Sequence, residues 1–591
     1  MPRRSEHVSV FESTRIFRMG KFSLLLGAIL IAFACSLLLV SSALFFVGVP
    51  ISRFHVPVAA AMAAAFGWWG VSFYFPQNRI RVFGLLFGSA IILFFLFALL
   101  SGSIYDISWD GQTYHAEGIE QLANGWNPFL EAPRGGPAFR FHSGVYAGPF
   151  HLIFSSKGPW ICAAALYKFS GSFEAGKAFH LMLILACFLV SFAALSTFQN
   201  IRPPWILILS LLLTFNPVSI CQMFTYYVDG LLSSLLGIAA GILLLIYRRP
   251  DRFKMAVLAL VVILAINVKL NGAVYIAIIG GGFGLFYVLA KKPRRTELAA
   301  WLMAGGILGG GFVGFSPYIT QFTNKLISTG NPFYPYAGWT SLVAPGAPEI
   351  FGDEPDRVRM LAVSLFSKSE VLELSASGRT EGFDGRHLFK LKLPFTFSFD
   401  EIRAFAFPDV HLGGFGPLFS GSIVLSVAII VVLFWKNRRR LIRATHLLVL
   451  MSLIFISALS LPENYSARYV PQVWMLPVIA TILALLITRH WLSRGLAFAL
   501  IVLLFINNLF ISYKYAVFSL SNSALAASQL RTLKKEEQPI AAKFGFFNAI
   551  RYRFDREGIR YVEVATLPCA KDKQERVILS QALICIPAKT P

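Results

Sequence analysis

Apolar runs long enough to cross a lipid bilayer recur along this chain from Phe22 almost to Tyr513, and no other feature limits its fold so severely. A spanning helix takes about 20 mostly apolar residues, and within lipid every backbone N–H and C=O must find its partner inside the protein. Helices packed side by side meet that demand; one soluble core does not. Composition agrees: 56% of the 591 residues are hydrophobic and 14% charged, where a soluble domain carries about 25% charged residues.

A net charge of +23 would point to nucleic acid if it formed one solvated patch. The basic residues instead fall in short clusters between apolar runs: Arg3, Arg4, Arg15, Arg18 and Lys21; Arg79 and Arg81; Arg248, Arg249, Arg252 and Lys254; Lys291, Lys292, Arg294 and Arg295; Lys436, Arg438, Arg439, Arg440 and Arg443; Arg489 and Arg494. That is the pattern of cytoplasmic loops, and it argues against a nucleic-acid partner. With the N-terminus in the cytoplasm, spans are expected near 22–49, 56–75, 82–101, 176–198, 204–218, 228–247, 254–268, 272–290, 298–316, 417–434, 445–461, 470–488 and 495–512, about thirteen in all. Each basic cluster then lies inside. The first run is too long for a signal-peptide core and lacks a clear cleavage site, so it is expected to be retained.

The expected fold is therefore an all-α polytopic membrane protein over residues 1–512, with outer loops 102–175 and 317–416. A small soluble α/β tail over 513–591 follows, also outside. Arg560 to Thr566 reads as a strand there. Cys569 and Cys585 enclose 15 residues, which a disulfide would close in an oxidising compartment.

Two spans fall short of the bilayer. One stops before Asn216-Pro217 and the other before Asn267-Val268-Lys269, both on the outer side. Short helices leave a recess that only protein and water can fill, which is where chemistry is expected.

The first outer loop begins Asp106-Ile-Ser-Trp-Asp110-Gly-Gln-Thr-Tyr114-His115 and runs on through Gly125-Trp-Asn-Pro128-Phe129. Asp110 stands where a short amphipathic helix should start, so an N-cap is its plain structural role. Yet Asp106 and Asp110 follow a membrane exit directly. There a carboxylate can act as general base on a water-soluble acceptor while the other substrate stays in the bilayer. Further along, Tyr227-Val-Asp229 opens a span, Lys269 interrupts one, and Asp409-Val-His411 precedes another; Glu463-Asn-Tyr465-Ser-Ala-Arg468-Tyr469 joins two more. A lone membrane-depth Lys is often a snorkelling anchor. Lys269 sits at a break, however, and with Arg468 has the chemistry to hold a phosphate.

In this order, these pieces and Asn331-Pro-Phe-Tyr-Pro335 resemble the GT-C superfamily of membrane glycosyltransferases, which take sugar from a polyprenyl-phosphate donor. The resemblance covers roughly residues 100–475. It implies a catalytic base at Asp110, with Asp106 and Asp229 as further catalytic carboxylates. It also implies substrate contacts from Lys269, Arg468, His115, Tyr465, Tyr227 and His411. Many members carry Asp-Glu where this chain has Asp110-Gly111. The implied partners are the lipid-linked donor, the bilayer, and a glycan, glycolipid or protein acceptor. The implied location is a bacterial inner membrane with its active site in the periplasm. A phosphate leaving group stabilised by cations needs no metal and no cofactor is firmly expected, although Asp106 and Asp110 have the oxygen chemistry to ligate a divalent cation. Two other readings stay open: a polymerase or ligase of lipid-linked oligosaccharides, and a lipid or sugar transporter. Against transport, the expected spans carry essentially no mid-membrane carboxylates and no visible repeat.

Overall fold

The computed structural model describes residues 3–133, 138–141, 144–147, 152, 155–290, 326, 330–331, 356–369, 390–488, 490–544, 549–580 and 582–586. Among them helices predominate. A helix stands at every expected span except 298–316, which lies outside the described residues, as does 332–335 of the Asn331 motif. Among the described residues, eight helices are long and apolar enough to cross a membrane: Ile16–Phe46, His55–Tyr74, Arg79–Gly102, Glu174–Leu195, Asp229–Arg248, Leu270–Ala290, Phe419–Arg443 and Trp491–Leu533. Pro203–Thr214, Thr445–Leu459 and Pro471–Ile487 are apolar but shorter.

Burial sorts these helices into an inner and an outer set. Asp229–Arg248 is 94% buried over its most apolar stretch, whereas Arg79–Gly102 is 17% buried. The exposed side of Arg79–Gly102 carries Leu85, Ile92, Phe95 and Leu99, and that of Trp491–Leu533 carries Phe498, Phe505 and Leu509. In water such faces would far exceed the apolar patch a soluble monomer tolerates. Against lipid they are the ordinary outer surface.

The two short helices stop as the polar interruptions require. Asn216 accepts from the Ser219 N–H at 3.0 Å and so caps a new helix, Pro217–Gln222. Lys269 is extended (φ −163°, ψ 155°) between Arg252–Val268 and Leu270–Ile276.

Beyond the expected boundary at 513, helix Trp491–Leu533 continues unbroken and carries the tail on a helical stalk. The tail sheet has four strands in the order Tyr561–Glu563, Ile540–Lys543, Leu583–Cys585, Glu575–Arg576; the first pair is parallel and the others antiparallel. The expected strand is thus present but shorter, and Cys569 is bonded to Cys585. Helix Ala549–Glu557 completes the tail core through Ile550 and Phe554. It also packs on the segment that follows Arg79–Gly102. Arg556 Nη1 reaches Glu120 Oε2 at 3.0 Å, and Arg553, 4% exposed, lies 3.6 Å from Glu174 Oε1.

Candidate active site

After the exit of Arg79–Gly102, residues 109–123 form one helix with a π-helical turn at Gly111–His115. Such wider turns often mark functional positions. Asp110 lies inside the first turn (φ −61°, ψ −35°), and its side chain caps no backbone N–H. The N-cap role is therefore not the one it plays. Its Oδ2 accepts from Arg468 Nη2 at 3.1 Å.

Arg468 is the hub. Its segment is pinned to the one before Phe419–Arg443 by Arg468 N–H on the Val410 carbonyl and Ala467 N–H on that of His411, each at 3.2 Å. From there Nη1 reaches Asp409 Oδ1 at 2.5 Å, Nε lies 3.6 Å from Asp229 Oδ2, and Nη2 also donates to the Tyr469 hydroxyl at 2.9 Å. The rings of Tyr227 and Tyr469 flank the guanidinium, both centroids 4.8 Å away. Its side chain is only 9% exposed. A planar fork with five donors suits this crowding where an ammonium would not.

Lys269 completes the cluster. Its Nζ bonds Asp229 Oδ1 at 2.7 Å and sits 4.2 Å from the Tyr469 ring centre. Asp229 opens helix Asp229–Arg248, whose N-terminus favours a carboxylate. The Lys269 side chain is 25% exposed against 2% for Asp229, so Lys269 is the cation that solvent and ligands reach. His411 Nε2 lies 3.0 Å from Asp409 Oδ1, and its Nδ1 is 3.1 Å from the Ser466 hydroxyl. Burial alone would raise the Asp409 pKa, but Arg468 and His411 reverse that and hold it well below the usual carboxylate range. Burial raises the pKa of Glu463, against the pull of Lys269, Arg468 and His411. The buried Tyr227 hydroxyl has no hydrogen-bond partner among the described residues.

The structure thus brings together Asp110, Asp229, Lys269, Arg468, Tyr227 and His411. Asp409 and Tyr469 belong with them, although the sequence reading assigns those two no role. The other three expected residues, His115, Tyr465 and Asp106, have contacts of their own. His115 Nδ1 accepts from Trp160 Nε1 at 2.5 Å, both side chains buried. Tyr465 packs with Met360 and Leu412 in a small apolar cluster.

Asp106 is an anchor. Its Oδ1 accepts from the Ser108 N–H at 2.7 Å and hydroxyl at 2.6 Å, and its Oδ2 from the Tyr226 N–H at 2.9 Å. It therefore ties the loop to the residue before Tyr227. Burial pushes its pKa up to about 6, against the pull of Lys177 and the Ser108 bonds. A Cβ on Gly111 would come within 2.0 Å of Asp106 Oδ2, so a side chain there would displace this carboxylate from its bonds. Asp106 and Asp110 engage different partners, and among the described residues no group of three or more His, Cys, Asp or Glu side chains is arranged to hold a metal ion.

Asp106→Asn should keep the Ser108 bonds but turn an NH2 towards the Tyr226 N–H. Leaving that buried donor unpaired costs about 1–3 kcal/mol. Thermal unfolding in detergent should register the loss, and an unchanged melting temperature would remove the anchoring role.

No protein-family model and no curated protein matches the chain.

Proposed function

We propose that this protein is a polyprenyl-phosphate-dependent glycosyltransferase of a bacterial inner membrane, with about thirteen spans, a cytoplasmic N-terminus and its active site and tail in the periplasm. One observation carries this reading. A carboxylate on the first outer loop, Asp110, meets Arg468 beside Lys269 and Asp229 at the break between two helices. The Cys569–Cys585 bond supports an oxidising compartment for the tail.

In this mechanism Asp110 takes the proton of an acceptor hydroxyl as that oxygen attacks the anomeric carbon. The bond from that carbon to the phosphate oxygen breaks, and polyprenyl phosphate leaves. A single displacement inverts the anomeric centre, as it does in single-displacement glycosidases. Lys269 meets the phosphate, where negative charge develops. Arg468, held by three carboxylates, chiefly orients Asp110 and Asp229. An oxygen of the donor would satisfy the Tyr227 hydroxyl, which otherwise bears the cost of an unmade hydrogen bond.

The lipid that co-purifies with the protein tests this directly. Mass spectrometry of the extract should show polyprenyl-phosphate species enriched over the bulk membrane. Lys269→Ala should lose that enrichment and weaken donor use by about 1.5–3 kcal/mol, the range for a charge-assisted contact. Its yield should stay near normal, because Asp229 keeps Arg468 and the helix N-terminus. Full donor use by Lys269→Ala would return the lysine to a snorkelling anchor. An extract without polyprenyl phosphates, from a protein inert towards such donors, would end the glycosyltransferase reading.

A further inference from the structure

Just before Asp409, the sequence alternates in a way that the proposed reaction does not use. Leu391, Leu393, Phe395, Phe397 and Phe399 occupy every second position and are 48–82% exposed. Between them Lys392 turns towards the protein and Ser398 is half-buried, while the Thr396 hydroxyl donates to the Leu393 carbonyl at 2.7 Å. Lys392 is 3% exposed and pairs with Glu401 Oε1 at 2.5 Å. Ser398 and Glu401 form a reciprocal cap on helix Phe399–Arg403. A soluble loop would turn the lysine out and the phenylalanines in. This segment does the reverse.

Its backbone is held firmly. Lys368 N–H donates to the Lys390 carbonyl at 2.9 Å and Lys392 N–H to that of Phe366 at 2.7 Å, fixing the entry. Phe395 has φ +67°, a left-handed conformation that a bulky residue keeps only when its surroundings impose it. It is seated on the first turn of Phe419–Arg443, where a Cβ on Gly421 would come within 2.6 Å of the Phe395 ring. The Phe397 ring lies 5.0 Å from Phe510 on helix Trp491–Leu533, next to Leu509 and Tyr513, themselves 55% and 68% exposed. The apolar row is therefore continuous with the lipid-facing surface of two apolar helices. Exposed charges bracket it: Lys390 on one side, and Asp400 and Arg403, with side chains 83% and 67% exposed, on the other.

We infer that residues 391–399 form an interfacial strap whose apolar row inserts into the outer leaflet, with phospholipid acyl chains as its occupant. Charged ends at the headgroup level and an apolar face below them are the physical requirements of a segment lying in the interface. The strap leads through residues 404–408 directly to Asp409 and His411, so its depth sets the height of the charged cluster above the membrane. This holds whatever reaction that cluster performs.

Site-directed spin labelling tests it in the full chain in phospholipid nanodiscs. The native thiols do not interfere: Cys35, Cys162, Cys187 and Cys221 are buried and the other two are bonded. Nitroxides at Leu391→Cys, Leu393→Cys, Phe397→Cys and Phe399→Cys should collide with oxygen, relative to a water-soluble nickel chelate, several-fold more than at Lys390→Cys or Asp400→Cys. A ratio equal to that of Asp400→Cys places the row in water and overturns the strap. Poor access to both reagents means that protein covers it, a second copy included, and overturns it equally. The unaltered protein gives an independent reading through a phospholipid with a photoreactive carbene precursor on its acyl chain. Adducts should appear on the peptide holding 391–399 as well as on that holding 509–513. Adducts on the second peptide alone would reject the inference.

Discussion

For the proposed glycosyl transfer, Asp110→Asn should be about a hundredfold slower than the unaltered protein, or worse, the usual consequence of removing a positioned general base. It should nonetheless fold. An asparagine Oδ1 still accepts from Arg468 Nη2, the bond that Asp110 Oδ2 accepts at 3.1 Å, so the geometry of the hub survives while the proton acceptor is gone. Asp110→Ala should lose as much activity and some stability as well, because one guanidinium N–H is then left unpaired. The comparison is cleaner than a capping role would allow, since Asp110 caps no N–H. Both variants are to be compared in a purified donor assay, with monodispersity checked by size-exclusion chromatography. An Asp110→Asn protein working at the normal rate would move the base to Asp409 or Asp229, both within reach of the same arginine.

How much of this was readable in the sequence depended on how local each cause is. Lipid imposes long apolar runs, so the helices could be placed from hydropathy, and the polar interruptions at Asn216 and Lys269 marked where two of them stop. Hydropathy marks lipid rather than helix, which is why Trp491–Leu533 runs on through 513 into a polar stretch. The divergent fates of Asp106 and Asp110, four residues apart, turn partly on a local signal: Ser108 offers Asp106 two hydrogen bonds. That Asp110 instead meets an arginine 358 residues away has no local signature. Neither has the Asp409–Arg468 contact, nor the docking of Arg553 and Arg556, which read as ordinary surface charges until the tail helix is laid against the first outer loop. Asp409 was missed for that reason. Its pairing is a product of packing.

Arg468→Ala is the second large effect, and it falls on folding as much as on turnover. The sequence alone suggests a phosphate ligand. The structure places Asp110, Asp229 and Asp409 all around this one side chain, which is only 9% exposed. Removing one partner of a buried charge cluster costs about 3–5 kcal/mol, because the remaining charges stay desolvated and unpaired. Arg468→Ala should accumulate poorly and melt early. Arg468→Lys should rescue it only in part, since a single ammonium cannot span three carboxylates. Acidity gives the signature that separates this cause from a simple packing defect. In the unaltered protein Asp409 is held below the usual carboxylate range by Arg468 and His411. Its contribution to stability is therefore present above the unfolded pKa, about 4, and is lost as pH falls through the lower folded value. Without Arg468, His411 alone opposes burial and the charged carboxyl is held less firmly, so the deficit of the variant should be larger near about pH 8 than towards about pH 5. Combining Arg468→Met with Asp409→Asn should restore much of the yield at neutral pH without restoring activity. An Arg468→Ala protein that accumulates normally, with a melting temperature indifferent to pH over that interval, would mean that the carboxylates do not depend on this guanidinium.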